Sequence, residues 1–191
     1  MVVAIRSLSG PLNNAINSER TKLSGSAINL ITALSIGLGP AFEPLLAHFI
    51  HTLLGLCARK NRLFVSRAKA CIIAIIEHTY SPSILSYLAE SVHHKSVSLR
   101  LTAAEGVLVF LNSPNPPNDN CARLIEDIIK LTSRDVDQSI RATGRQIREA
   151  YKIILPNSVE RFVPNDLYSR CHISHTTQPH CTLIPRRQDA Q

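Results

Sequence analysis

The sequence predicts an all-α chain folded as a solenoid of helix pairs, on three observations. Apolar residues recur at spacings of three and four as far as about residue 155, and no segment of useful length alternates with the two-residue period of a strand. Turn signals built from Gly, Pro, Asn and Ser cut that pattern into eight helices in four pairs. The second helix of each pair opens on basic residues, at 20–22, 59–62, 95–100 and 134–141; the starts near Thr21, Arg62, Ser96 and Val136 lie 41, 34 and 40 residues apart. Stacked repeats carry corresponding turns onto one long edge. Four clusters that are scattered in sequence thereby form one basic rim, and function is expected there.

The first helix covers about 3–17 and is weakened at Gly10-Pro11. The second runs over about 21–37, with Leu23, Ala27, Leu30 and Leu34 as its inner stripe, and stops at Gly37, Gly39 and Pro40 because glycine accepts a left-handed cap and proline cannot extend a helix. The third spans about 41–57. Asn61 caps the fourth, which turns Val65, Ala68, Ile72, Ile75 and Thr79 inward. Ser81-Pro82 starts the fifth, serine as cap and proline at the first helical position, and it runs to about residue 92. The sixth follows Ser96 and faces Val97, Leu101, Ala104, Leu108 and Leu111 inward. Residues 112–120 form the clearest loop, since three prolines among asparagines cannot sustain a helix. Cys121, Leu124, Ile125, Ile128 and Leu131 mark the seventh helix. Asp135 caps the eighth with Gln138 three positions on, and Ile140, Gly144, Ile147, Tyr151 and Ile154 form its stripe. Residues 157–162 could begin one more helix before Pro164, and the chain is then polar and aperiodic. The domain organisation expected is a repeat domain over 1–166 and a disordered tail over 167–191.

Composition narrows the function. The formal charge of +7 and pI near 9.5 favour an acidic partner. Aromatic residues make up 5% and tryptophan is absent, which leaves few rings for bases to stack on and argues against nucleic acid. The apolar stretch before Gly10-Pro11 is too short for a secretory signal. The most apolar run, 70–76, is flanked by Lys69 and Glu77, so no membrane span or membrane partner is expected. Cys57, Cys71 and Cys121 fall in helical patterns as buried thiols, which suits a reducing, intracellular setting.

Other candidate chemistry is thin. His48 and His51 share a helix face and His93-His94 are adjacent, yet no carboxylate or cysteine completes a metal set. Cys171, His172, His175, His180 and Cys181 have zinc-like composition but lie in the tail without a surrounding core. Ser24-Gly25-Ser26 lacks the lysine of a phosphate-binding loop. No serine or cysteine nucleophile has a His/Asp set, so no catalytic residue, cofactor, metal or small-molecule substrate is assigned.

A family resemblance is carried by an ordered run of short passages. These are Ser18-Glu19-Arg20-Thr21-Lys22-Leu23 leading into Ala27, then Leu38-Gly39 with Phe42-Glu43, and Ile76-Glu77-His78-Thr79. Lys95-Ser96-Val97 with Leu99-Arg100, and Asp135 with Asp137, Arg141 and Arg145, complete the run. Over about residues 5–166 the chain resembles the TOG domains of the CLASP proteins, which are HEAT-repeat, microtubule-stabilising modules. Such a domain usually has about six repeats and a tryptophan in its first loop; this chain resembles a central four-repeat portion and has no tryptophan.

The resemblance implies a non-enzymatic tubulin-binding module that regulates microtubule dynamics at plus ends, kinetochores or the spindle, in the cytoplasm and cytoskeleton. It assigns tubulin contact to Arg20, Lys22, Lys60, Arg62, Lys95, Arg100, Arg141 and Arg145. Arg141 and Arg145 have a competing role as partners of Asp137 or a neighbouring carboxylate. The alternative function is a HEAT-type scaffold for another acidic protein or peptide.

Overall fold

A computed structural model of the chain describes residues 2–114 and 117–155. Its elements are α1 (Val2–Ser7), α2 (Ser9–Ile16), α3 (Thr21–Leu38), a 3-10 turn (Gly39–Phe42), α4 (Glu43–Cys57), α5 (Arg62–Thr79), α6 (Ile84–Ser91), α7 (Val97–Leu111), α8 (Asp119–Ser133) and α9 (Gln138–Ile154). The second helices stack in order, α3 on α5, α5 on α7 and α7 on α9, while α2, α4, α6 and α8 stack as the other layer. No strand occurs among the described residues. The core lies between the layers, with Phe42, Phe49, Leu53, Ile72, Ile75, Val107, Ile125 and Ile147 buried in one continuous cluster. The helix proposed at 157–162, the tail and its Cys/His group lie outside the described residues.

Several elements differ from the sequence reading, each for a local reason. The first helix breaks at Leu8 and not at Gly10-Pro11. Restarting at Ser9 puts Pro11 in the first turn of α2, where its missing N–H has no intrahelical partner to lose. Ser81 is not a helix cap: it is buried, and its hydroxyl donates to Glu43 Oε1 at 2.9 Å, so it fastens the α5–α6 turn to the start of α4. The last cap is Asp137, whose carboxylate accepts from Ser139 N at 2.8 Å, while Asp135 caps the turn before it. Loop 112–120 is shorter than its prolines suggest, because Asn118 caps α8 by accepting from Cys121 N at 2.9 Å.

The inner faces also need correction. Leu23 and Leu30 of α3 are 46% and 45% exposed, and the face on the core is Ser24, Ile28, Ile31 and Ser35. Val97 and Leu131 are likewise exposed, and Leu99, Ala103 and Val107 take the buried positions in α7. One stretch missed as a possible span is Thr21–Cys57, which reaches a mean hydropathy of 1.5 and is long enough to cross a membrane by composition alone. Its apolar character follows from packing in part, since α4 buries Leu45, Leu46, Phe49, Ile50 and Leu53. Cys57 and Cys71 are buried, and loss of hydration pushes their thiols up to about 12 and about 11, so they pack as small apolar groups.

Candidate binding rim

Four tight turns precede α3, α5, α7 and α9, and each presents the start of a long helix, where unpaired N–H groups and the positive end of the dipole favour anions. In the first turn Ser18 Oγ accepts from Arg20 N at 3.2 Å, and Ser24 Oγ donates to Ile16 O at 2.7 Å, closing the backbone. The Arg20 and Lys22 side chains are left in solvent with no partner among the described residues.

The second turn is tied to the first. Arg59 donates to Glu19 Oε1 at 3.1 Å and to Asn17 O at 3.3 Å, with its guanidinium 5.5 Å from the centre of the Phe64 ring. Arg67 reaches back from α5 to donate to Thr21 O at 2.8 Å. That reach needs Gly25, since a Cβ there would collide with the guanidinium. Lys60 and Arg62 are exposed and unpaired among the described residues.

The third and fourth turns are joined by a stronger link. Arg100 forms a two-pronged bond to Asp135, Nε to Oδ2 at 2.7 Å and Nη2 to Oδ1 at 3.0 Å, and the two side chains are only 15% and 8% exposed. Its remaining donor closes its own turn on His94 O and Lys95 O at 3.1 and 3.2 Å. Arg141 repeats the device one pair later, donating to Asp135 O and Val136 O, both at 2.7 Å. The guanidinium bond, opposed by burial, holds the Asp135 carboxyl below its ordinary range; the same bond raises Arg100. Lys95 is exposed and unpaired among the described residues, and so is Arg145, one turn further along α9 than Arg141.

The eight assigned cations therefore divide. Arg20, Lys22, Lys60, Arg62 and Lys95 stand free at successive helix starts, Arg145 stands free on a helix flank, and Arg100 and Arg141 are occupied in closing turns. The sequence reading missed the apolar members of the edge. Leu63 and Val97 are 44% and 43% exposed beside free cations, and Val136 is 93% exposed in the fourth turn, where Arg141 is bonded. For Leu63 and Val136 the signal was a large aliphatic residue in the first helical turn or the turn itself, out of phase with the inner stripe, whereas Val97 was in phase with the stripe expected for its helix and gave none. Between the second and third turns lies an open cleft of about 470 Å³, with Arg59, Lys60, Arg62 and Lys69 around Val65 and Leu101.

Comparison with known proteins shows what the chain resembles. The family described as CLASP N terminal matches residues 1–170. Protein stu-1 of Neurospora crassa is 24% identical over 161 residues, 81% of this chain and 14% of that protein. The CLIP-associated protein of Arabidopsis thaliana is 26% identical over 160 residues, 82% of this chain and 11% of that protein. The chain thus spans a small fraction of the length of these relatives. Among solved structures, a chain from work on microtubule plus end tracking by XMAP215, CLIP-170 and EB1 superposes with a TM-score of 0.64 at 18% identity, covering 90% of this chain and 77% of that one. A chain from crescerin, which uses a TOG domain array to regulate microtubules in the primary cilium, gives 0.63 at 15% identity over 96% of this chain and 84% of that one. At such identities the structural likeness concerns the fold, a TOG-type stack of HEAT-like helix pairs.

Proposed function

The chain belongs to the CLASP N-terminal family, and on that premise we propose that it is a non-enzymatic module that binds tubulin in microtubules through the edge where α3, α5 and α7 begin. The observation that carries this reading is the row of unpaired cations, Arg20, Lys22, Lys60, Arg62 and Lys95, interleaved with exposed Leu63 and Val97. Each exposed ion pair contributes only about 0.2–1 kcal/mol, so affinity comes from several turns acting together. The aliphatic side chains add contact area that salt does not screen. Arg145 contributes from the flank, while Arg100 and Arg141 act by holding their turns in shape. The rigid stack supports microtubule stabilisation at plus ends, kinetochores or the spindle by keeping several contacts on one acidic surface at once.

Co-sedimentation with microtubules tests the reading. The Arg20→Glu/Arg62→Glu/Lys95→Glu protein should pellet at least tenfold more weakly than wild type, and wild-type binding should fall steeply as salt rises, because screening at ~0.15 M ionic strength acts over about 8 Å. Equal pelleting of both proteins would remove the edge from the mechanism. A second reading, a scaffold for a different acidic peptide, is favoured by the cleft beside Arg59, Arg62 and Lys69. Wild-type pelleting that is weak and insensitive to salt would move attention to that cleft.

A further inference from the structure

Helices α5 and α7 pack side by side in the middle of the stack, with α3 against one and α9 against the other. The open cleft of about 470 Å³ lies between their starts. Arg62, Val65 and Lys69 share one face of α5 at spacings of three and four, and Ser98 and Leu101 share one face of α7. The cleft is thus bounded on both sides by packed helices. Its chemistry is of two kinds. Val65 and Leu101 are half-buried, and together with the aliphatic stems of the lining lysines and arginines they make most of its surface apolar. Positive charge borders that surface. Arg59 and Lys69 are engaged by Glu19 and Glu105, whereas Lys60 and Arg62 are exposed and unpaired among the described residues. No carboxylate lies among the lining residues. Thr102 spends its hydroxyl on Ser98 O at 2.9 Å, while the hydroxyls of Ser66 and Ser98 have no partner among the described residues.

We propose that this cleft docks a short acidic peptide of a partner protein, seating one aliphatic side chain between Val65 and Leu101 and pairing the carboxylates beside it with Lys60 and Arg62. Charge complementarity names the occupant. Cations without a lining carboxylate select an anion, and the apolar lining selects one that carries more than charge. A lone phosphate would leave Val65 and Leu101 wet. A single-stranded nucleic acid would find no ring in the lining on which to stack a base. An aliphatic residue flanked by acids satisfies both parts of the cleft, and Ser66 and Ser98 can bond the peptide backbone. Size agrees, since peptide and ligand sites commonly enclose about 300–1,000 Å³. Occupancy has a consequence for the edge. Lys60 and Arg62 are two of the five free cations in the row assigned to the microtubule, so a peptide in the cleft withdraws them from that row. The peptide site rests on the scaffold reading of this cleft, and the competition rests on the microtubule reading.

Fluorescence anisotropy on the full chain tests the proposal with two labelled peptides of equal charge, Glu-Glu-Leu-Glu-Glu and Glu-Glu-Ser-Glu-Glu. The leucine peptide should bind saturably with a micromolar dissociation constant, and the serine peptide should bind at least about fivefold more weakly. That comparison changes the peptide and leaves the protein intact, so it does not depend on the folding of any variant. Arg62→Glu should weaken the leucine peptide at least about tenfold. Leu101→Ser should erase the difference between the peptides with an unchanged far-ultraviolet circular dichroism spectrum. Saturating leucine peptide should also lower wild-type pelleting with microtubules severalfold, and the serine peptide at the same concentration should not. Absence of saturable binding, equal affinity for the two peptides, or displacement of the leucine peptide by inorganic phosphate at constant ionic strength would each overturn the site. Pelleting undiminished by bound leucine peptide would overturn the competition. Failure of wild type to pellet without any peptide would instead remove the microtubule reading and leave the anisotropy comparison standing.

Discussion

At the N-terminal end, α3 turns Leu23 and Leu30 outward, and its turn leaves Arg20 and Lys22 free. At the C-terminal end, α9 turns Arg145, Gln146 and Glu149 outward with Ile153, and its turn is closed by Arg141, Asp135 and Asp137. The caps follow the same division. Arg20 has no side-chain cap bond, whereas Asp137 accepts from two backbone N–H groups. One repeat plan thus yields a turn whose cations are free before α3 and a turn whose arginine is bonded before α9. Positive charge in sequence does not by itself tell the two apart, because what matters is whether a carbonyl or carboxylate lies within reach of the guanidinium.

The two cross-turn arginine links give the largest expected contrast. Asp135→Ala strands Arg100 in a mostly buried site and should lower stability by about 2–4 kcal/mol in urea titration. Glu19→Ala removes an equivalent partner from Arg59, but Glu19 is 85% exposed, so the loss should stay below about 0.5 kcal/mol. The pH dependence separates them further. Since folding depresses the Asp135 carboxyl, its contribution is complete above the ordinary carboxylate range and is lost as pH falls through the lowered folded value. The stability gap between wild type and Asp135→Asn should therefore close on acidification. Equal costs for the two alanine variants would show that burial does not distinguish the ends.

A second contrast sets binding against closure within the assigned cations. Arg141→Ala opens two 2.7 Å bonds to turn carbonyls and should cost about 1–2 kcal/mol of stability. The protein that remains folded should pellet with microtubules within about twofold of wild type. Arg62→Ala should do the reverse, weakening pelleting severalfold at low salt with less than about 0.5 kcal/mol change in stability. Parallel loss of binding and stability in both variants would mean that free and bonded cations do one job.

Much of the fold was legible because helix period, breakers and caps are local. Asn61, Gly39 and the 3.6-residue stripe of α9 were read from a few neighbouring residues each. The side of α3 that faces the core was not legible, since the sequence offers two apolar stripes there and the more regular one, through Leu23 and Leu30, is outward. Nor could Arg100 be separated from Lys95: its partner Asp135 lies 35 positions away, beyond any local pattern. Asp135 and Asp137 were exchanged as caps because both are short acids before one helix, and only the direction of the backbone distinguishes them.

The smallest expected effect bears on the outward face of α3. Gly37 lies in the last turn of α3 within ordinary helix, where alanine is favoured over glycine by up to about 1 kcal/mol. An added methyl meets no neighbour in the single chain. Gly37→Ala should therefore raise the stability of dilute protein by about 0.5–1 kcal/mol, through the lower backbone entropy of its unfolded chain. A loss of stability in urea titration would show that a neighbour packs against Gly37, against the open space that the single chain leaves there.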